Sequence, residues 1–183
     1  MRSQRRRLRW GLVGRLMERR TVLAAGGASL LLAACVSGGT TGAVKGPRVY
    51  KITPKLAEEI PFRLLDSVNS LRAAKAAQPL TFDAALNAAC LTHSRDMSVQ
   101  NRPWHFGSDG SSPLVRVQRV NYPGKLLGEL ISETYQTELE TLSAWMSEAS
   151  TRDVLLDPRA NQLGFAWFQE PSGKLWWTLL VGA

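Results

Sequence analysis

Thiol and imidazole side chains, the groups best suited to nucleophilic chemistry and to zinc binding, are rare in this sequence. The chain has two cysteines, Cys35 and Cys90, and two histidines, His93 and His105. So few cysteines exclude a disulfide-rich scaffold, and with only two histidines they also exclude an array of zinc fingers. His93 shares a helical stripe with Cys90, which is typical of a hydrogen-bonded core histidine. A free cysteine on such a stripe behaves as a small buried apolar residue, so Cys90 is not expected to be reactive.

The first 34 residues carry almost all of the net charge. They contain eight Arg and one Glu, a net charge of +7, whereas residues 35–183 contain 15 basic and 14 acidic residues, a net charge of +1. A basic surface has to lie on the folded domain to bind nucleic acid. The high isoelectric point of the whole sequence therefore does not indicate a nucleic-acid partner.

Residues 1–34 have the organisation of an export signal. Residues 2–20 are rich in Arg, and residues 22–34 are uncharged and apolar or small throughout. A bilayer span takes about 20 apolar residues, so the pattern predicts a secretory signal peptide and not a membrane-spanning helix. Arg19 and Arg20 before the apolar segment also resemble a twin-arginine signal, and Met17 is an alternative start.

The signal ends in a sequence that resembles a bacterial lipobox, Leu32-Ala33-Ala34-Cys35. In that class of signals the cysteine becomes the lipidated first residue of the mature protein. Two or more acyl chains make such anchoring stable. The resemblance implies that Cys35 is lipidated and that the membrane is a partner of this chain. A plain cleaved signal with an incidental cysteine is the alternative.

The sequence after Cys35 changes from a tether to a domain. Residues 36–46 are rich in Gly and Thr, which is typical of a flexible linker. We therefore expect residues 35–48 to form the lipidated cysteine and the tether, and residues 49–183 to form a single domain. If Cys35 is acylated, this domain folds without a disulfide although it faces an oxidising compartment.

In the mature chain, helical patterns come first and strand patterns come last. Apolar spacing and turn residues predict helices over 61–77, 83–100, 113–120 and 138–147, and strands over 126–135, 162–170 and 174–182. Within 138–147 we expect Leu139, Leu142, Trp145 and Met146 to face inward. The last two strands flank a three-residue hairpin loop. This order predicts an α+β domain with an antiparallel sheet, and not a wound βαβ fold.

An ordered series of motifs then resembles the CAP superfamily, which comprises cysteine-rich secretory, antigen-five and pathogenesis-related proteins. The series includes Asn69-x-x-Arg72, Trp104-His105-Phe106-Gly107, Gly128-Glu129, Trp145-Met146 and Leu163-Gly164-Phe165. It is most similar to the bacterial SCP-like branch, which lacks the disulfides. The resemblance covers residues 65–182 and implies a three-layer α/β/α sandwich around a central antiparallel sheet.

The resemblance also implies a surface cleft, which in the family is lined by two His and two Glu. His105 matches the first His, and Glu129 matches the Glu of the family's Gly-Glu-Asn, whose Asn is Leu130 here. Glu148 matches the second Glu. The position of the second His is occupied by Thr151, so this histidine is missing.

The loss of one histidine weakens the case for a metal site. Neutral imidazole is a good ligand for zinc, and a hydroxyl such as that of Thr151 is a poor one. His105, Glu129 and Glu148 supply at most three ligands. We therefore expect weak binding of a divalent metal or none, and no other cofactor. His93 is able in principle to replace the lost imidazole, but its place on a core stripe argues against this.

Three functions are compatible with these residues. The first is a non-catalytic module whose cleft, lined by His105, Glu129, Glu148 and Thr151, binds a lipid, a peptide or another small ligand. The second is a hydrolase in which His105 is a base oriented by Glu129, with a hydroxyl such as that of Thr151 as the nucleophile. The third is a structural or interaction protein with a degenerate cleft. We favour the first, because half of the cleft is retained while the second His is lost. A buried polar network of the retained residues needs no catalytic activity to exist.

The same resemblances predict the location. A lipidated Cys35 places the chain in a bacterial cell envelope, facing the periplasm or the exterior. Val36 follows the cysteine, where lipoproteins retained at the inner membrane often carry Asp. By that analogy the outer membrane is favoured in a cell that has one. The ligand, or an envelope protein as the partner, is left open by the sequence.

Overall fold

The structure is a computed structural model, which describes residues 49–183. The signal peptide over 1–34, the lipidated Cys35 and the tether to residue 48 lie outside the described residues. In the described part no helix is long and apolar enough to cross a bilayer.

Five helices and four strands make up the described part of the chain. The helices are α1 (Pro54–Ala73), α2 (Ala84–Gln100), α3 (Pro113–Arg119), α4 (Glu138–Ser147) and α5 (Ala149–Leu155). The strands are β1 (Thr81–Phe82), β2 (Leu126–Ser132), β3 (Gln162–Gln169) and β4 (Leu175–Gly182). The predicted mixed α/β class is therefore confirmed.

The four strands form one sheet in the order β1-β3-β4-β2. β4 pairs antiparallel with β2 on one side and with β3 on the other, as the predicted hairpin requires. The fourth strand was not predicted. β1 has only two residues, and it pairs parallel to β3 through Thr81 with Gln162 and Phe82 with Leu163. The antiparallel sheet thus carries one short parallel edge.

Strand β4 is buried on both faces, which makes the fold a sandwich. Successive side chains of a strand point to opposite faces. Trp177, Leu179 and Val181 join the larger apolar cluster with residues of α1 and α4. Leu180, from the opposite face, joins the second cluster with Leu86 and other residues of α2 and α3. The sheet therefore lies between two helical layers, as the resemblance implied.

Two helices begin where their first residues are capped. The hydroxyl of Thr137 accepts from the Glu140 backbone N–H and the Glu140 carboxylate accepts from the Thr137 N–H, which fixes the start of α4 at the predicted residue. Thr53 caps α1, so this helix starts seven residues before Pro61. Proline lacks the N–H that an inner helical turn uses, which is why the sequence pattern suggested a start at Pro61.

The buried face of α4 differs from the predicted one. Leu139 was expected to face inward, but it is exposed, whereas the preceding residue Glu138 is buried. The Glu138 carboxylate accepts from Arg63 of α1 at 2.8 Å. At this point of α4 the buried residue is therefore an ion-paired glutamate, and not the adjacent leucine that hydrophobicity alone predicts.

Candidate functional site

The candidate site is built around the carboxylate of Glu129. This residue lies on β2, an edge strand of the sheet, opposite Leu180 of β4. Its neighbour Leu130 faces the larger apolar cluster, so Glu129 faces the α2 and α3 layer. The Glu129 side chain is only 2% exposed. A buried carboxylate is retained only when it is paired, so its partners define the site.

Arg116 supplies the compensating charge. This α3 residue is buried, and its Nη2 lies 2.5 Å from Glu129 Oε2. Its Nη1 donates to the backbone carbonyls of His105 and Ser111 at 3.0 and 2.9 Å. One guanidinium therefore neutralises the carboxylate and holds both ends of the 105–111 segment. The first turn of α3 positions it, with Ser112 as the N-cap and Pro113 in the opening turn.

His105 takes the other oxygen of the same carboxylate. Its Nδ1 lies 2.9 Å from Glu129 Oε1, and 52% of its side chain is exposed. An ionised carboxylate only accepts hydrogen bonds, so Nδ1 carries the proton. The Nε2 of a neutral ring then holds a lone pair that is available to an incoming group. Both oxygens of Glu129 are engaged, one by an imidazole and one by a guanidinium.

His93 is the second imidazole at this carboxylate. The sequence led us to expect a hydrogen-bonded core histidine, and the structure places it in the core, fully buried, with Nε2 3.7 Å from Glu129 Oε1. Among residues 49–183 neither ring nitrogen makes a hydrogen bond of normal geometry, and the Trp104 backbone gives only a weak contact that raises the pKa of the ring slightly. Burial has the largest effect on the pKa of His93 and lowers it, Glu129 raises it, and the Arg116 charge lowers it. His93 is therefore neutral at neutral pH.

Glu148 and Thr151 lie at the junction of α4 and α5. Glu148 ends α4 and precedes α5 without capping it through its side chain. The Thr151 hydroxyl lies 2.5 Å from the Trp145 carbonyl and 3.2 Å from the Glu148 carbonyl. Thr151 thus uses its donor on the helix junction. No hydrogen bond or ion pair of the described residues joins Glu148 or Thr151 to the cluster formed by His105, Glu129, Arg116 and His93.

This donor set does not fit a divalent metal ion. Arg116 holds one oxygen of Glu129, and a guanidinium beside a carboxylate opposes the approach of a cation. The other oxygen accepts from His105. Across residues 49–183, no group of three or more His, Cys, Asp or Glu side chains lies close enough together to hold a metal. Binding a metal here would require the ion pairs of Glu129 to break.

A cavity adjoins the cluster. It has a volume of about 330 Å³ and lies between α2 and α3, where Ala89, Thr92 and Val120 line it together with Arg116 and Ser111. The rim carries three charged side chains, Asp96, Asp109 and Arg119. Small-molecule sites in proteins typically have volumes from about 300 Å³ upward, so this volume suits a small ligand. Neither His105 nor Glu129 is among the residues that line it.

The sequence profile of the Cysteine-rich secretory protein family (CAP) matches residues 65–181. The chain belongs to this family. Among solved structures, the fold is similar to that of an outer surface protein from Borrelia burgdorferi, with a TM-score of 0.64 and 16% identity over 69% of this chain and 93% of that one. An extracellular SCP-domain protein from Bacillus anthracis str. Ames gives a TM-score of 0.62 and 20% identity over 72% of this chain and 44% of that one.

A curated CAP relative is the uncharacterized protein YkwD from Bacillus subtilis (strain 168). It is 25% identical over 120 residues, which amount to 66% of this chain and 46% of the relative. The chain thus spans less than half the length of this curated relative. At these identities the solved structures show that the fold is shared, and they do not assign roles to the site residues of this chain.

Sequence reasoning identified His105 and Glu129, but it assigned no role to Arg116 and dismissed His93. The sequence position of Arg116 alone does not reveal which carboxylate it pairs with. A usable signal was available for both residues. A glutamate on a strand whose pattern predicts burial requires a cation nearby. The candidates in the sequence were Arg116, which follows the Pro that begins a predicted helix, and His93, which lies on an apolar helical stripe.

Proposed function

We propose that this protein is a lipid-anchored CAP-domain protein of the bacterial cell envelope, whose site at His105 binds a small ligand or a peptide without catalysing a reaction. The observation that carries the proposal is the state of Glu129. Its two oxygens are occupied by His105 and Arg116, so it orients the imidazole and is not free to act as a base. The Nε2 of His105, on a side chain that is 52% exposed, remains as a hydrogen-bonding group for a ligand.

The state of the candidate nucleophiles in the described residues supports binding over catalysis. The Thr151 hydroxyl, which the sequence offered as a nucleophile, is held by the Trp145 and Glu148 carbonyls. The Cys90 thiol is fully buried, and burial raises its pKa well above the usual value, so the reactive thiolate is not formed. Nucleophilic catalysis needs such a group within hydrogen-bond reach of a base.

The envelope location rests on the signal sequence and on the relatives. The lipobox-like end of the signal places Cys35 at the start of the mature chain. Two similar proteins are described as an outer surface protein and as an extracellular protein. Both descriptions agree with export of this chain, and the lipid at Cys35 would keep it at a membrane surface.

Native mass spectrometry of the mature protein, purified from its own envelope without chelator, tests the ligand. Two variants separate the roles of the His105 ring. His105→Asn keeps an amide N–H for Glu129 and removes Nε2, whereas His105→Ala removes both. We expect a bound small-molecule mass on the wild-type protein and its loss from both variants, with each variant folded by circular dichroism.

A ligand mass that persists in both variants would contradict the assignment of this site. Loss in His105→Ala alone would mean that the hydrogen bond to Glu129 matters and that Nε2 does not. A bare polypeptide in all three samples would favour the degenerate cleft and an envelope protein as the partner. The anchor is tested separately by the acyl mass on Cys35, which should be absent in Cys35→Ser.

A hydrolase is the second candidate, and one observation favours it. A carboxylate that orients a half-exposed imidazole through Nδ1 and leaves Nε2 outside that hydrogen bond is an arrangement that allows a general base to act on water. This candidate predicts turnover of ester, peptide or glycan substrates that disappears in His105→Asn. No turnover by the purified wild-type protein across these substrates would count against it.

A further inference from the structure

The first described residues lie against the hairpin that joins β3 and β4. The Gln169 side chain donates to the Tyr50 carbonyl at 2.8 Å and accepts from the Ile52 N–H at 2.9 Å. A Cβ atom placed on Gly173 would lie 1.9 Å from a methyl group of Val49. The chain therefore leaves the domain toward residue 48, and so toward Cys35, beside this hairpin.

The end of α2 lies at the same hairpin. The Ser98 hydroxyl donates to Glu170 at 2.9 Å, and Lys174 donates to the Asn101 side chain at 3.2 Å. Asn101 ends α2 in the left-handed conformation, which redirects the chain into the segment that follows. The segment after α2 thus begins beside the point where the tether leaves the domain.

This segment exposes a cluster of aromatic and cationic side chains. Trp104 and Phe106 pack edge to face with ring centroids 5.9 Å apart, and they are 37% and 48% exposed. The Arg102 guanidinium lies 3.4 Å from the centre of the Trp104 ring and has no carboxylate partner within the part of the chain that the structure describes. Val99, on the last turn of α2, is 82% exposed. We call Val99, Arg102, Trp104 and Phe106 the anchor-proximal face.

The sequence between the anchor and the domain adds positive charge. Residues 36–53 contain Lys45, Arg48 and Lys51 and no Asp or Glu. Basic residues close to a membrane are attracted to the negative surface potential of anionic lipids. Thirteen residues, 36–48, join Cys35 to the described domain, and a chain of that length reaches at most about 45 Å, which bounds the distance between the domain and the anchor.

We propose that the anchor-proximal face docks on an anionic phospholipid surface, with Trp104 and Phe106 among the head groups and Arg102 on lipid phosphates. Tryptophan is enriched at membrane–water interfaces because its ring is apolar and its N–H is polar. A tether holds the domain at high local concentration, so a weak contact is sufficient. The proposal rests on the lipid at Cys35, and it would hold His105, between the two aromatic residues, near the head groups.

Quenching by brominated lipids tests this docking. The lipidated mature chain is reconstituted into vesicles of equal parts phosphatidylcholine and phosphatidylglycerol, with bromine on the acyl chains near the head groups. Trp104 is more exposed than the four other tryptophans of residues 49–183. We expect quenching in the wild-type chain, its loss in Trp104→Phe, and weaker quenching in vesicles of phosphatidylcholine alone.

A matched pair of charge variants tests the face as a whole. Val99→Glu places an acid on the anchor-proximal face, and Leu139→Glu places one on α4, where Leu139 is also exposed. We expect Val99→Glu to reduce the quenching of Trp104 and Leu139→Glu to leave it unchanged. Circular dichroism of each variant confirms that it is folded.

Flotation of the vesicles distinguishes failure of the docking from failure of the anchor. A chain that floats with the vesicles, but whose quenching is the same in wild type and Trp104→Phe, contradicts the docking and leaves the anchor intact. A wild-type chain that does not float, or floats only as well as Cys35→Ser, contradicts the anchor and the docking together. Equal effects of Val99→Glu and Leu139→Glu would also overturn the docking.

Discussion

In the cluster around Glu129, each side chain fixes the charge or the proton position of another. The charge of Arg116 stabilises the buried carboxylate, and the carboxylate fixes the proton of His105 on Nδ1. The same guanidinium holds the carbonyls of His105 and Ser111. The exposed imidazole is therefore positioned through a residue that a ligand does not have to touch.

Replacing Arg116 should be costly. Arg116→Met leaves Glu129 buried without its cation and leaves the His105 carbonyl without its donor, while the Ser111 carbonyl keeps only the Gly107 N–H, so we expect a loss of about 3–5 kcal/mol in the free energy of unfolding. Arg119→Met is the matched control, because its ion pair with Asp109 is exposed to solvent and should contribute little to stability. Urea denaturation measures both. A loss for Arg116→Met no larger than that for the control would show that the buried pair is dispensable.

His93 should make stability depend on pH. Burial lowers its pKa in the folded chain below the ordinary value of 6.5. As the pH falls below about 6.5, the unfolded chain binds a proton at this histidine while the folded chain does not, so the free energy of unfolding should decrease. Above that pH the folded and unfolded forms are both neutral and this contribution is constant.

His93→Met should remove this dependence between about pH 6.5 and pH 5. Because neither ring nitrogen makes a hydrogen bond of normal geometry within the described residues, the variant should also lose little stability at neutral pH. The control is His105→Asn, which removes the other imidazole and should keep the pH dependence. Urea denaturation at several pH values gives the slopes. A slope that disappears in His105→Asn and persists in His93→Met would reverse the assignment.

At the scale of elements, the approach of α2 to β3 sets the position of the site. A Cβ atom on Gly164 would lie 2.4 Å from the Leu86 carbonyl carbon, and the Phe165 N–H donates to the Asn87 side chain at 2.8 Å. The absence of a side chain at Gly164 lets the helix lie directly on the strand. The same helix carries His93 toward Glu129 on β2.

Gly164→Ala should therefore be destabilising. The added methyl group meets backbone atoms, which are less able to move aside than a side chain, so we expect a loss of about 1–3 kcal/mol or more. Gly42→Ala, in the predicted tether, is the matched control and should leave the free energy of unfolding unchanged. Thermal and urea denaturation compare them. Equal stability of the two variants would show that α2 shifts at little cost.

The elements predicted best from the sequence are those that local interactions determine. The bounds of α4 agree with the prediction because the capping box of Thr137 and Glu140 lies within the segment. β1 was missed because its two residues become a strand only by pairing with β3, about 80 residues away. The exposure of Leu139 was missed because the Arg63–Glu138 pair joins two helices that are distant in sequence.

In the candidate site, too, the sequence predicted the residues that local motifs mark and missed those that depend on long-range packing. The motifs identified His105 and Glu129, and the structure brings these two into contact at 2.9 Å. The sequence offers Arg116 and His93 as candidate partners of a buried Glu129, but only the packing of α3 and α2 against β2 brings them to that carboxylate. Glu148 and Thr151 came from counting along the CAP pattern, and the described contacts leave them on the α4–α5 junction.

At the scale of the whole molecule, the described domain is held together without a disulfide. Two apolar clusters, one on each face of the sheet, provide the core. Cys90 is a free, buried thiol in the second cluster, and burial raises its pKa well above the ordinary value. Such a thiol is protected in the folded chain in an oxidising compartment, and it reacts only when the domain opens.

The number of reactive thiols then tests the fold and the anchor in one measurement. If Cys35 is acylated, the mature chain should show no reactive thiol when folded and one, Cys90, when unfolded in denaturant. Cys90→Ala, which should cost little stability because alanine is also small and apolar, separates the two cysteines. Unfolded Cys90→Ala should show no thiol, since the lipid occupies Cys35. One thiol in that sample would identify a free Cys35 and contradict the anchor, whereas a reactive thiol in the folded wild-type chain that Cys90→Ala removes would contradict the burial of Cys90.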